Sequence, residues 1–171
     1  YTVLYLSLIV LIPLSALFSK TATMGLPEFW AAVTSARVLA SYKLTFGASF
    51  AAALVNTVFG FITAWVLVRY AFPGKRIVDA VVDLPFALPT AVAGLVFSSL
   101  YVKNGWYGRF LVPLGIEGAY TPLAIVLVLV FLGLPFAVRT VQPVLESMDQ
   151  DVEEAAASLG ASRVQTFVRV I

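Results

Sequence analysis

The sequence predicts an all-α integral membrane protein, and three observations carry that prediction. Hydrophobic residues make up 61% of the chain and mean hydropathy is +0.97, where soluble domains sit near roughly 45–50% apolar. The apolar residues gather into four stretches, about 1–18, 44–68, 77–101 and 121–138. Charged residues amount to only 12% and lie mainly between those stretches. A net charge of +2 is too small to point to nucleic acid. Cysteine is absent, which removes disulfides and thiol chemistry. Histidine is absent too, and with it the commonest metal ligand and general base.

The first stretch, 1–18, is apolar with one proline, Pro13, and is just long enough to span. It lacks the basic start of a secretory signal, and further spans follow it, so it reads as a membrane helix. Residues 19–43 form a polar connection. Within it, 26–42 can be an amphipathic interfacial segment, with Phe29, Trp30, Val33 and Val38 on its apolar side. The second stretch, 44–68, is about 37 Å long as a helix, enough to cross ~30 Å of hydrocarbon with some tilt. Gly47 with Ala51, and Gly60 with Ala64, are small-residue pairs that allow another helix to approach. Asn56, near its middle, suits an interhelical contact better than a substrate contact. The short loop 69–76 carries Arg69, Lys75 and Arg76 around a Pro73-Gly74 turn, and by the positive-inside rule it faces the cytoplasm.

The third stretch, 77–101, is the least ordinary. Asp79 and Asp83 lie one turn apart on one helical face. Asp83 is about 10 Å beyond Arg76, a depth at which a charge must face protein or water. Pro85 and Pro89, again one turn apart, each remove a backbone donor. A helix broken this way is tolerated where it is packed or lines a cavity. The segment therefore reads as the wall or gate of a pathway, or as a kinked packing helix. Residues 102–120 form an outer loop, with Trp106 and Tyr107 as interface anchors. The fourth stretch, 121–138, is bent at Pro135, and Arg139 closes it on the inside.

The polar run 139–171 is the part that asks to be touched. Five of the nine acidic residues fall from Glu146 to Glu154. Asp151 with Glu154 and Ser162 with Gln165 have the spacing of helix-capping boxes. Gly160, between them, can take positive φ and end a helix. Ala155, Ala156 and Ala157 make a flat face that another surface can approach closely. Four spans from an inner N-terminus return the chain to the cytoplasm at Arg139, so this loop lies on the side where ATP is.

Glu154-Ala155-Ala156, three residues, then Gly160 resembles the EAA motif of permease subunits of ATP-binding-cassette (ABC) importers. Val170 fits the aliphatic position that comes next in the motif. The run from Asp83 through Pro85 and Pro89 to Gly94 is similar to the T-type permease subunit of sulfate/thiosulfate importers. So are stretches at Tyr42–Gly47, Ala64–Tyr70, Asn104–Trp106, Gly133–Phe136 and Arg139–Val144. This likeness covers essentially the whole chain.

The resemblance implies a type I ABC importer permease fold with four transmembrane helices and cytoplasmic coupling helices. The chain starts at Tyr1 and stops at Ile171 within the pattern, so truncation at both ends is expected. It further implies a transport subunit rather than an enzyme, importing sulfate or thiosulfate by alternating access. ATP and magnesium are expected on a partner ATPase, with no cofactor bound by this chain. The other expected partners are a second permease subunit, a periplasmic sulfate-binding protein and membrane lipid. The membrane is the bacterial inner membrane, or a chloroplast envelope for a plastid-encoded chain. Glu154, Ala155, Ala156 and Gly160 are the expected ATPase-coupling residues. Asp83, Pro85, Pro89, Thr90 and Ser98 are pathway candidates. Asp83 repels a dianion, so pairing is expected of it rather than substrate binding. Three alternatives stand beside this reading. One changes the cargo to molybdate or another oxyanion. Another is an ion-coupled membrane protein with Asp79 and Asp83 as a relay. A purely structural subunit is a third.

Overall fold

A computed structural model describes residues 1–148, 150–162 and 165–166. Among these the regular structure is helical: α1 (Thr2–Ala22), α2 (Leu26–Val33), α3 (Ala36–Arg69), α4 (Lys75–Val82), α5 (Leu84–Ala87), α6 (Thr90–Tyr101), α7 (Gly108–Leu111), α8 (Pro122–Ser147) and α9 (Gln150–Ser158), with a 3-10 turn at Val112–Leu114. Three of them, α1, α3 and α8, are long and apolar enough to cross a membrane. The chain divides into two compact units, Tyr1–Gly47 and Ala48–Ile171.

In the first unit, α1 is apolar along its length and buries none of its residues. Gly25 caps α2, Pro27 takes a first-turn position where no backbone donor is needed, and Glu28 faces the positive end of the helix. Phe29 and Trp30 meet edge to face at 6.0 Å. The amphipathic segment expected over 26–42 is in fact split: α2 stops at Val33, and α3 has begun by Ala36.

In the second unit the packing centre lies where α3, α4 and α8 meet. Ala64, Leu67, Val82, Val138 and Leu145 are buried together. From Ala48 onward α3 buries a residue every fourth position: Ala48, Ala52, Asn56, Gly60 and Ala64. That spacing places them in one row along the helix. The row includes the expected Gly60 and Ala64. It passes by Gly47, where an added Cβ meets no atom within 4 Å among the described residues. The crossing with α8 is close: a Cβ added to Gly60 sits 2.5 Å from the Cβ of Ala137, and one added to Gly133 runs into the Asn56 amide. Asn56 is thus an interhelical residue, as its position suggested. Its Oδ1 is buried without a hydrogen-bond partner among the described residues.

The expected span at 77–101 is three helices, not one. Gly74, at φ +85°, turns the chain into α4. Asp83 is both the end of α4 and the cap of α5. Leu88 is extended, and Pro89 starts α6. The two prolines explain the breaks. Each occupies a helix start, where its missing N–H costs nothing, so the chain re-initiates instead of kinking. The pieces pack on α8 through Phe86 on Phe136 (4.9 Å, edge to face) and Phe97 on Phe131 (5.3 Å). The loop at 102–120 folds back on the end of α6: Tyr107 N–H donates to the Leu100 carbonyl at 3.0 Å, and the rings of Tyr101 and Tyr107 lie 5.4 Å apart.

Candidate functional site

Two features of the second unit hold its charge chemistry. The first is centred on Arg139, in α8. Its guanidinium grips Asp83 in a two-bond fork, Nε to Oδ1 at 2.9 Å and Nη2 to Oδ2 at 2.6 Å. Nη1 also donates to Asp79 Oδ1 at 2.7 Å and to Gln142 Oε1 at 2.6 Å, and Nη2 reaches the Asp79 carbonyl at 3.1 Å. Gln142 passes the chain on, donating from Nε2 to Glu146 Oε1 at 3.0 Å. The Arg139 side chain is 31% exposed, against 43% for Asp79 and 46% for Asp83. The guanidinium uses its five N–H donors in five bonds, one pair of them a planar fork on Asp83, which the three donors of a lysine cannot match. Asp83 is therefore paired, as expected of it. Sequence reasoning gave Arg139 only the role of closing the fourth span. The available signal was spacing: Asp79 and Asp83 are four apart, and Arg139, Gln142 and Glu146 are spaced by three and four, each set on one helical face.

The second feature is α9 with the turn and cap beyond it. The helix starts at Gln150, so Asp151 lies in its first turn rather than at its cap. There its carboxylate suits the positive end of the helix. The expected Asp151–Glu154 capping box is corrected in that respect. The helix ends as expected. Gly160 has φ +84°, and Ala161 N–H returns to the Ala156 carbonyl at 3.0 Å, the six-to-one bond of a Schellman cap. The second capping box is present: Ser162 N–H donates to Gln165 Oε1 at 2.8 Å, and Gln165 N–H to Ser162 Oγ at 3.3 Å. Glu154 and Ala155 are exposed and Ala156 is half-buried. The side chain of Ala157, and Val170, lie outside the described residues.

Glu154, Ala155, Ala156 and Gly160 thus fall on one short helix and its terminating turn. The pathway candidates are not gathered in the same way. Asp83 is bound to Arg139, and Pro85 is buried at the start of α5. Pro89 and Thr90 are exposed at the start of α6. Ser98, half-buried, is about 12 Å further along that helix. The predicted inner loop at 139–171 begins later than expected, because α8 continues to Ser147 and carries Arg139, Gln142 and Glu146 within it.

Apolar helices of spanning length, a twice-broken helix packed on one of them, and a capped polar helix beyond it define a class of helical integral membrane protein. The family model for binding-protein-dependent transport system inner membrane components matches residues 56–171. The chain belongs to that family and has the type I ABC permease fold. It is 54% identical over 170 residues to the sulfate transport system permease protein CysT of Synechocystis sp., covering 99% of this chain and 59% of that protein. It is 49% identical to the CysT of Salmonella typhimurium, covering 99% and 61%. It is 46% identical to a probable sulfate transport system permease protein of Nephroselmis olivacea, covering 99% and 60%. The chain spans about three-fifths of the length of these relatives.

Proposed function

We propose that this chain is the larger part of a permease subunit that imports sulfate by alternating access, driven by ATP hydrolysis on a separate ATPase. The observation that carries the proposal is likeness along the whole chain to relatives named as sulfate transport permeases. The exposed α9 supports it locally. Glu154 offers a charge contact to the ATPase, Ala155 and Ala156 allow close approach, and Gly160 sets the bend after the helix. ATP and magnesium belong to the ATPase in this reading. A second permease subunit completes the pathway, and a substrate-binding protein delivers sulfate from outside. The host membrane is a bacterial inner membrane or a plastid envelope, since relatives of both origins are similar. Thr90 and Ser98 remain the better anion donors of the pathway set. Molybdate or another oxyanion is the runner-up cargo. The relay reading of Asp79 and Asp83 is disfavoured, because Arg139 occupies both carboxylates.

The test uses the full-length subunit co-expressed with its ATPase and partner permease. Pull-down of the ATPase and uptake of labelled sulfate are compared for wild type and Gly160→Val. Loss of both, with normal membrane insertion, supports the reading. Uptake that persists without the ATPase rejects it. Intact docking with molybdate transported instead of sulfate corrects the cargo.

A further inference from the structure

Pro143 lies inside α8, four residues after Arg139. It has no N–H, so the Arg139 carbonyl lacks its normal helical donor, and α8 has a weak point between Arg139 and its end. α9 begins only three residues after Ser147. A rotation imposed on α9 is therefore liable to be absorbed at this gap. The side chains of Arg139, Gln142 and Glu146 run across it: Arg139 to Gln142 at 2.6 Å, and Gln142 to Glu146 at 3.0 Å. The same guanidinium holds Asp83, the residue at the joint of α4 and α5.

We propose that Arg139 is a positioning residue for transport, splinting α8 across Pro143 so that movement of α9 reaches the joint of the broken helix at Asp83. This deepens the importer reading and rests on it. The bidentate fork fixes the direction of the Asp83 carboxylate as well as its distance. The Gln142 amide serves both sides, accepting from Arg139 and donating to Glu146. Without the splint, ATP-driven motion of α9 bends α8 at the proline and leaves α4 and α5 in place. Hydrolysis then continues while transport slows.

The experiment uses the full-length subunit assembled with its ATPase, partner permease and binding protein in lipid vesicles. It reads ATP hydrolysed per sulfate taken up. Arg139→Gln is expected to keep ATPase pull-down and to raise that ratio on the order of tenfold, within the usual range of coupling between sites. Arg139→Lys should recover part of the loss, since lysine keeps the charge without the fork. Gln142→Ala should raise the ratio in the same direction. Adding Pro143→Ala, which returns the missing backbone donor, should bring it back toward wild type. That rescue is a result a merely structural role does not produce, and it decides the matter if Arg139→Gln fails to assemble. A wild-type ratio in Gln142→Ala, or no rescue by Pro143→Ala, overturns the inference and leaves the importer reading intact. A wild-type complex that takes up no sulfate under ATP overturns both.

Discussion

The second unit carries two acidic regions with opposite fates. Around Arg139 the carboxylates of Asp79 and Asp83 are consumed internally, each within 2.7 Å of a guanidinium nitrogen. On α9, Glu154 is exposed, and among the described side chains of that helix none is buried. The first region sits against the buried cluster of Ala64, Leu67, Val82, Val138 and Leu145. The second is held by local devices: the Schellman turn at Gly160 and the Ser162–Gln165 box. The contrast separates two uses of charge. Where carboxylates lie beside a spanning helix, pairing with its arginine offsets their charge and ties the elements together. Where the backbone satisfies its own ends, the side chains stay available for a partner.

The comparison breaks first if the packed region tolerates bulk. Gly60→Leu should be the most damaging single change outside the charge network, because its first added carbon already falls 2.5 Å from Ala137. Overpacking of this kind costs about 1–3 kcal/mol. Thermal unfolding of the full-length subunit in detergent should show it, and an unchanged transition would mean that α3 and α8 do not cross here. Next comes Gly160→Val. A side chain at φ +84° costs about 1–2 kcal/mol, but among the described residues beyond its chain neighbours no atom lies within 4 Å of an added Cβ. Its effect should therefore be confined to α9, with ATPase docking lost and the unfolding of the remainder little changed. Ser162→Ala removes one cap acceptor and should cost ~1 kcal/mol. Local hydrogen exchange at Gln165 and Thr166 is the appropriate measurement, and Ser162→Asp should restore most of the protection.

Particular residues show what could be read from sequence. The long apolar helices and the positive φ of Gly160 were legible because hydropathy and glycine placement act locally. So was the Ser162–Gln165 box, whose partners are three residues apart. The row from Ala48 to Ala64 was half legible. Small residues recur at several offsets in α3, and only the partner α8 selects the face that includes Gly60 and bypasses Gly47. The division of 77–101 was readable as a break but not as three helices, since a proline can kink a helix or restart one. Arg139 was missed because its partners Asp79 and Asp83 lie 60 and 56 residues away. Local spacing marks a polar face on each of the two segments, but it does not say that the two faces meet.

The smallest expected change in stability gives the sharpest contrast between the two regions. Glu154 is exposed on α9, and among the described residues no side chain pairs with it. Glu154→Ala should leave the thermal unfolding of the full-length subunit unchanged, as substitutions at such surface positions usually do. Under the proposed function it should nonetheless weaken ATPase pull-down, and the loss should grow as salt is lowered, because the lost contact is a screened surface charge. Asp83→Asn offers the mirror case. It removes a charge from the packed region, so it should disturb unfolding while ATPase docking at α9 persists. If Glu154→Ala instead lowers the unfolding transition and Asp83→Asn leaves it untouched, the division between a consumed and a presented set of carboxylates is wrong.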